Sequence, residues 1–180
     1  MEAAIPTVLF SGILDNQMEN ASSLDELFSR LNRSLCRTLN RRTFVCFAMG
    51  ELDPISGRVR ITNGGCPYPY HYRACTGAVE EVRLDAFPLG LRPEAEYTVA
   101  EVELAAGDHL VFCSDGIIEV EGEHGEIFGF DRTGVVIGQA AAENVAATQV
   151  IERLLDEVDR FSGGAEQRDD QTIVVLSVEG

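Results

Sequence analysis

The hydrophobic rhythm changes several times along this chain, and each change predicts a different kind of element. Residues Glu2–Leu14 are apolar nearly all round, with Ile5, Val8, Leu9 and Ile13 prominent. They predict a helix whose first turn accommodates Pro6, where no backbone donor is missed. An apolar helix of this kind must find a surface to cover. A second helix has one clear face: Leu24, Leu27, Phe28, Leu31, Leu35 and Leu39 recur at helical spacing, behind a capping-box pattern of Ser23 and Glu26. Arg30, Asn32, Arg33 and Arg37 occupy the other side, so this helix lies at a surface.

From Thr43 the period shortens to that of strands. Thr43–Leu52 and Arg58–Thr62 flank the turn residues Asp53-Pro54 and Ser56-Gly57, a hairpin pattern. Short strands are expected at Tyr68–Arg73, Ala78–Leu84, Tyr97–Leu104 and Asp108–Cys113. Gly122–Gly129 is an acidic, glycine-containing loop, expected to form a mobile flap anchored at its far end by Ile127 and Phe128. A third helix over Asn144–Phe161 turns Val150, Ile151, Leu154, Leu155 and Val158 inward, and Gln171–Val178 reads as a buried closing strand. The class is α+β, in a single domain spanning residues 1–180.

Composition narrows the function. All 14 basic residues are arginine, against 30 acids, for a net charge of -16. Such a surface repels phosphate backbones and anionic lipid, so neither nucleic acid nor membrane is an expected partner. The imbalance is local: residues 1–60 hold 7 Arg and 7 acids, residues 61–180 hold 7 Arg and 23 acids. Most of those acids read as a solvated face; some are candidates to converge on a hard cation. Cys36, Cys46, Cys66, Cys75 and Cys113 form no C-x-x-C pair, which argues against zinc or a disulfide framework and for reducing cytoplasm. His71, His109 and His124 lack ligand spacing and read as structural or solvated.

Two carboxylates stand at strand ends. Leu110–Cys113 runs into Ser114-Asp115-Gly116, placing Asp115 where the chain leaves the sheet, with Gly116 permitting a sharp turn. Asp169-Asp170-Gln171-Thr172 opens the last strand. Alone, each pattern reads more simply as a turn or a solvated acid pair. No Ser-His-Asp or H-E-x-x-H arrangement accompanies them.

In order along the chain, these stretches resemble the SpoIIE/RsbU-type bacterial phosphatases, relatives of protein phosphatase 2C. The matching residues are Ala3-Ala4-Ile5-Pro6; Thr62-Asn63-Gly64-Gly65-Cys66-Pro67-Tyr68-Pro69, like the family's N-A-G-H-P-P-P; Phe87-Pro88-Leu89-Gly90; Ala106-Gly107-Asp108; Ser114-Asp115-Gly116, like T-D-G; and Asp169-Asp170-Gln171-Thr172, like D-D-x-T. The resemblance implies a protein phosphatase 2C-like β-sandwich flanked by helices, here lacking its first strands. It assigns Asp115 and Asp169 as ligands of Mn²⁺ or Mg²⁺, supported by Gly116, Asp170 and Thr172, with Asp170 facing backbone or solvent. It implies a phosphoprotein substrate of the STAS-type anti-sigma-factor antagonist class, and an upstream sensor or receiver domain. Two departures stand out: Cys66 replaces the family's usual His, and the G-D-V-S-G-H-G motif that precedes the first helix is not among these residues. That motif carries the metal-bridging Asp, so little activity and no ordered metal pair are expected of this chain. The apolar first helix would then be available to a second copy, as a homodimer. The rival reading is a non-catalytic, phosphatase-like adaptor that binds a partner.

Overall fold

Glycine and serine at a few positions decide where the elements of this chain start and how closely they approach. The computed structural model describes residues 4–40, 42–165 and 167–179. The order is α1 (Ala4–Met18), α2 (Leu24–Thr38), β1 (Phe47–Asp53), β2 (Arg58–Gly64), β3 (Tyr70–Arg73), β4 (Ala78–Glu81), β5 (Ala100–Glu103), β6 (His109–Cys113), α3 (Asp115–Ile118), α4 (Gly129–Ala142), α5 (Ala147–Ser162) and β7 (Ile173–Ser177). The chain divides into two compact units, one comprising Met1–Cys66 and Leu84–Val102, the other Pro67–Arg83 and Glu103–Gly180.

The first unit carries α1, α2 and the antiparallel hairpin β1–β2, with β5 beside β2 in a three-stranded sheet. The hairpin register pairs Phe47 with Gly64 and Asp53 with Arg58. Asp53 holds the turn: its carboxylate accepts from the amide of Ile55 at 2.9 Å and from the hydroxyl of Ser56 at 2.7 Å. Leu27, Phe28, Leu31, Leu35, Leu89 and Tyr97 form the core, so the apolar face read from the α2 periodicity is buried. Asn32, read as outward, is buried too, donating to Arg92 O and accepting from the Gly90 amide. The expected capping box is half present. Ser23 Oγ accepts from the Glu26 amide, but the Glu26 carboxylate reaches back to the amide and hydroxyl of Ser22 rather than to Ser23. These bonds, first from Ser22 and then from Arg30, hold Glu26 down to about 2. Of the expected first helix, Glu2 and Ala3 lie outside the described residues, and the helix continues beyond Leu14 to Met18. Phe10, Ile13 and Leu14 pack against the core, while Val8 is 73% exposed, so only one side of this apolar helix is covered.

The second unit holds the four-stranded sheet β4-β3-β6-β7, antiparallel throughout, and the helices α3, α4 and α5. Tyr70, Val111, Ile117, Phe128, Ile137, Val150 and Leu154 are among its core residues. Here the structure corrects the sequence reading. Helix α4 was not expected, because Gly134, Gly138 and several β-branched residues lower its helical propensity. The glycines have a packing reason. A Cβ on Gly138 would come within 3.0 Å of Val79, and one on Gly134 within 3.5 Å of the Tyr70 ring, so they let α4 approach β3 and β4. Helix α5 begins at Ala147 rather than Asn144, which adopts a left-handed φ of 54°. Strand β5 is confined to four residues of the expected eight. Strand β7 lies at the sheet edge and is only part-buried, with Val174 50% exposed. In the Gly122–Gly129 loop, Phe128 is buried against Phe161 but Ile127 is 58% exposed, so only one of the two expected anchors is engaged. Cys46 and Cys75 are exposed.

Candidate metal centre

Strand β6 delivers an aspartate at each end, and the two meet opposite fates. At its start, Asp108 is 3% exposed and accepts from the amides of Ala74 (2.8 Å) and Ala105 (3.1 Å) and from the His71 ring at 3.0 Å. Burial works to raise its carboxyl, but these hydrogen bonds outweigh it and hold Asp108 below the usual carboxylate range. His71, itself buried, is therefore structural, as the sequence suggested. His109 Nδ1 is 2.7 Å from Ser177 Oγ, joining β6 to β7.

At the other end, β6 stops at Cys113 and Asp115 opens the single turn of α3. Asp115 is exposed, and among the described residues its Oδ1 accepts only the adjacent Gly116 amide, at 3.0 Å. Asp169 stands in the loop before β7, exposed in the same way, with Oδ1 accepting from the Asp170 amide at 2.8 Å. Both aspartates line one cavity of about 350 Å³. Its wall includes Gly116, Glu119, Glu121, Asp159, Gln167, Arg168 and Gln171.

Ser114 brings the two loops together. Its amide donates to Thr172 O (2.9 Å), its hydroxyl donates to Asp170 O (3.1 Å), and the same hydroxyl accepts from the Thr172 amide (2.9 Å). Ser114 is the N-cap of α3, yet its side chain makes no capping bond there, because it is committed to the other loop. Gly116 completes the junction: a Cβ there would lie 2.3 Å from Asp170 O. No side chain fits in that gap. The supporting residues thus act through the backbone: Asp170 by its carbonyl, Thr172 by its amide and carbonyl, Gly116 by lacking a side chain. The side chains of Asp170 and Thr172 do not line the cavity.

The sequence did not single out Ser114, nor Glu119, Glu121, Asp159 and Arg168, which come from the two caps of α3, the following loop, α5 and the β7 approach. A serine between a strand and an aspartate was visible, but the partner of its hydroxyl lies 56 residues away. Cys113 is no nucleophile: burial pushes its thiol up to about 12.

The donors fit a hard divalent cation in kind, since carboxylate oxygens are what Mg²⁺ and Mn²⁺ prefer. Among the described residues, no group of three or more His, Cys, Asp or Glu side chains is placed to hold one ion. The pair therefore suits a hydrated ion held by one or two carboxylates rather than a closed cage. No helix among the described residues is long and apolar enough to cross a membrane.

Comparison with known proteins places the fold. No curated protein matches the sequence. The SiaA-PP2C domain of Pseudomonas aeruginosa superposes with a TM-score of 0.81 at 22% identity, covering 98% of this chain and 69% of that one. The PP2C phosphatase domain and regulatory fragment of the cell-fate determinant SpoIIE from Bacillus subtilis gives 0.76 at 20% identity, covering 98% and 50%. The RsbU and RsbW domains of a Mycobacterium tuberculosis protein give 0.75 at 22% identity, covering 99% and 48%. The chain thus spans about half the length of these last two. At such identities the likeness establishes the fold, which is PP2C-like. The family model described as stage II sporulation protein E (SpoIIE) matches residues 1–179, and the chain belongs to that phosphatase family.

Proposed function

We propose that this chain is the output domain of a metal-dependent protein serine/threonine phosphatase in a bacterial signalling protein. The observation that carries the reading is that Asp115 and Asp169, from separate parts of the chain, line one cavity and are locked together through Ser114. The family match over residues 1–179 supports treating the whole as one functional domain. The substrate class is a phosphorylated STAS-type anti-sigma-factor antagonist, received in cytoplasm under an upstream sensor or receiver domain.

In this reading Asp115 and Asp169 hold Mn²⁺ or Mg²⁺, and Gly116, Ser114, Asp170 and Thr172 fix the distance between them. A bound ion of this type supplies a water acidified enough to act near neutral pH and neutralises charge on the phosphoryl oxygens. The chain's part is positional. Exposed carboxylates engaged only by adjacent amides remain free to turn oxygens toward the cavity. Cys113, the thiol next to this site in sequence, is buried and pushed up to about 12, so it is not the nucleophile. Two carboxylates bind Mg²⁺ weakly, so hydrolysis by these 180 residues alone should be slow.

The test is Mn²⁺-dependent hydrolysis of a phosphoserine substrate by this protein and by its Asp115→Asn variant. Activity that disappears in Asp115→Asn supports the reading; full activity in that variant ends it. The finding that no third metal-binding side chain joins the described pair favours a second reading, a phosphatase-like adaptor without catalysis. That reading requires the protein to be inactive with Mn²⁺ while still binding its partner.

A further inference from the structure

The cavity has an electrostatic problem that its aspartates cannot solve. Among the described residues lining it, Asp115, Glu119, Glu121, Asp159 and Asp169 are acidic and Arg168 is the one cation. A phosphomonoester approaching such a wall is repelled, because one divalent ion balances two of the five carboxylates and leaves the other three.

Arg168 directly precedes Asp169, and the backbone beyond it is held: Gln167 Nε2 donates to Asp169 O at 2.7 Å, and Ser114 Oγ donates to Asp170 O at 3.1 Å. Its Nη1 donates to Glu121 Oε2, and no other nitrogen of that guanidinium is engaged among the described residues. The pair is open to water, with the Arg168 side chain 76% and that of Glu121 46% exposed, so an incoming anion can displace it readily. Glu121 is the better-fixed partner, because it stands at the base of a small hairpin: it bridges Ile127, and the Gly122 amide donates to Glu126 O at 2.8 Å.

We infer that Arg168 is the phosphoryl-anchoring residue of this cavity, parked on Glu121 until a phosphate monoester takes its place. The planar guanidinium offers two parallel donors that match two phosphoryl oxygens, a geometry lysine does not reproduce. Seated one residue from Asp169, it holds the phosphoryl group beside the carboxylates while offsetting their charge. Glu121 keeps the guanidinium from closing on Asp115 or Asp169 when no substrate is present. This inference deepens the phosphatase reading and rests on it.

The experiment titrates inorganic phosphate into the chain with Mg²⁺ present, by calorimetry, for the wild type, Arg168→Gln, Arg168→Lys and Glu121→Gln. KM and kcat for p-nitrophenyl phosphate with Mn²⁺ are measured alongside. Both positions are exposed, and matching unfolding curves check that each variant is folded. Arg168→Gln should weaken phosphate binding about tenfold or more, as loss of a charge-assisted bond predicts. Arg168→Lys should recover part of the loss, and Glu121→Gln should tighten binding about two- to fivefold by removing the competitor. Any hydrolysis should show the change in KM before kcat. Equal phosphate affinity in wild type and Arg168→Gln overturns the inference, as does a wild type that binds no phosphate; unchanged or weaker binding in Glu121→Gln overturns the parking role. If hydrolysis occurs with KM indifferent to Arg168, the inference falls and the proposed function stands. If phosphate binds through Arg168 but no form of the protein hydrolyses p-nitrophenyl phosphate, the proposed hydrolysis falls and the anchoring stands.

Discussion

Asp108 and Asp115 flank the same five-residue strand, each beside a glycine, and look alike in the sequence. Asp108 is buried and spends its carboxylate on two amides and a histidine; Asp115 is exposed and spends one oxygen on its neighbour's amide. The first is a structural pin and the second stays exposed at the cavity wall. The difference is tertiary. Beside Asp108 the Ala74 turn and His71 on β3 turn their donors inward, whereas beside Asp115 the opposing β7 loop presents a second carboxylate. A strand-end aspartate is thus assigned by what the neighbouring strand offers it, not by its own motif.

The sharpest way to break this contrast is to remove each carboxylate in turn. Asp108→Ala leaves two amides and a buried imidazole without their acceptor, and should cost about 3–5 kcal/mol in urea unfolding. Asp115→Asn should change stability by no more than about 0.5 kcal/mol, as an exposed site, while abolishing Mn²⁺ affinity. A destabilised Asp115→Asn would make both aspartates structural. Next in size is Gly116→Ala, whose Cβ would strike Asp170 O. Because backbone must move, it should cost about 1–3 kcal/mol and spread Asp115 from Asp169, so metal affinity falls too.

Acid should act on the buried end of β6 in two steps. Burial holds His109 below its ordinary 6.5, against the opposing charge of Asp108. A depressed histidine contributes stability that is present above about 6.5 and lost as pH falls through its folded value. A decline in unfolding free energy of at most about 1.4 kcal/mol per pH unit is therefore expected below 6.5. A second loss follows below about 3.9, as pH falls through the lowered value of Asp108. His109→Gln should remove the first step only, as followed by thermal melts between pH 7 and about 2. The smallest effect is that of chelation: with only two exposed carboxylates engaged, EDTA should shift Tm by about 1 °C or less at micromolar metal.

Much of the fold was legible wherever local chemistry and tertiary packing agree. The α2 face, the Asp53 turn with its hairpin, and the inward stripe of Val150, Leu154 and Val158 all follow from spacing and capping. Helix α4 was illegible because Gly134 and Gly138 are poor helix formers in isolation and make sense only once β3 and β4 lie beneath them. The candidate site divides the same way. Asp115, Gly116 and Asp169 could be named from their positions at strand ends and from the resemblance those motifs carry. The commitment of Ser114 to the opposite loop and the pairing of Arg168 with Glu121 could not, since each joins residues 47 or more positions apart. By itself the sequence determined which segments can bury a face and where carboxylates interrupt them, because those properties are local and periodic. Only the tertiary structure decided which aspartate became a pin and which stayed free, because burial and hydrogen-bond partners are supplied by strands that are distant along the chain.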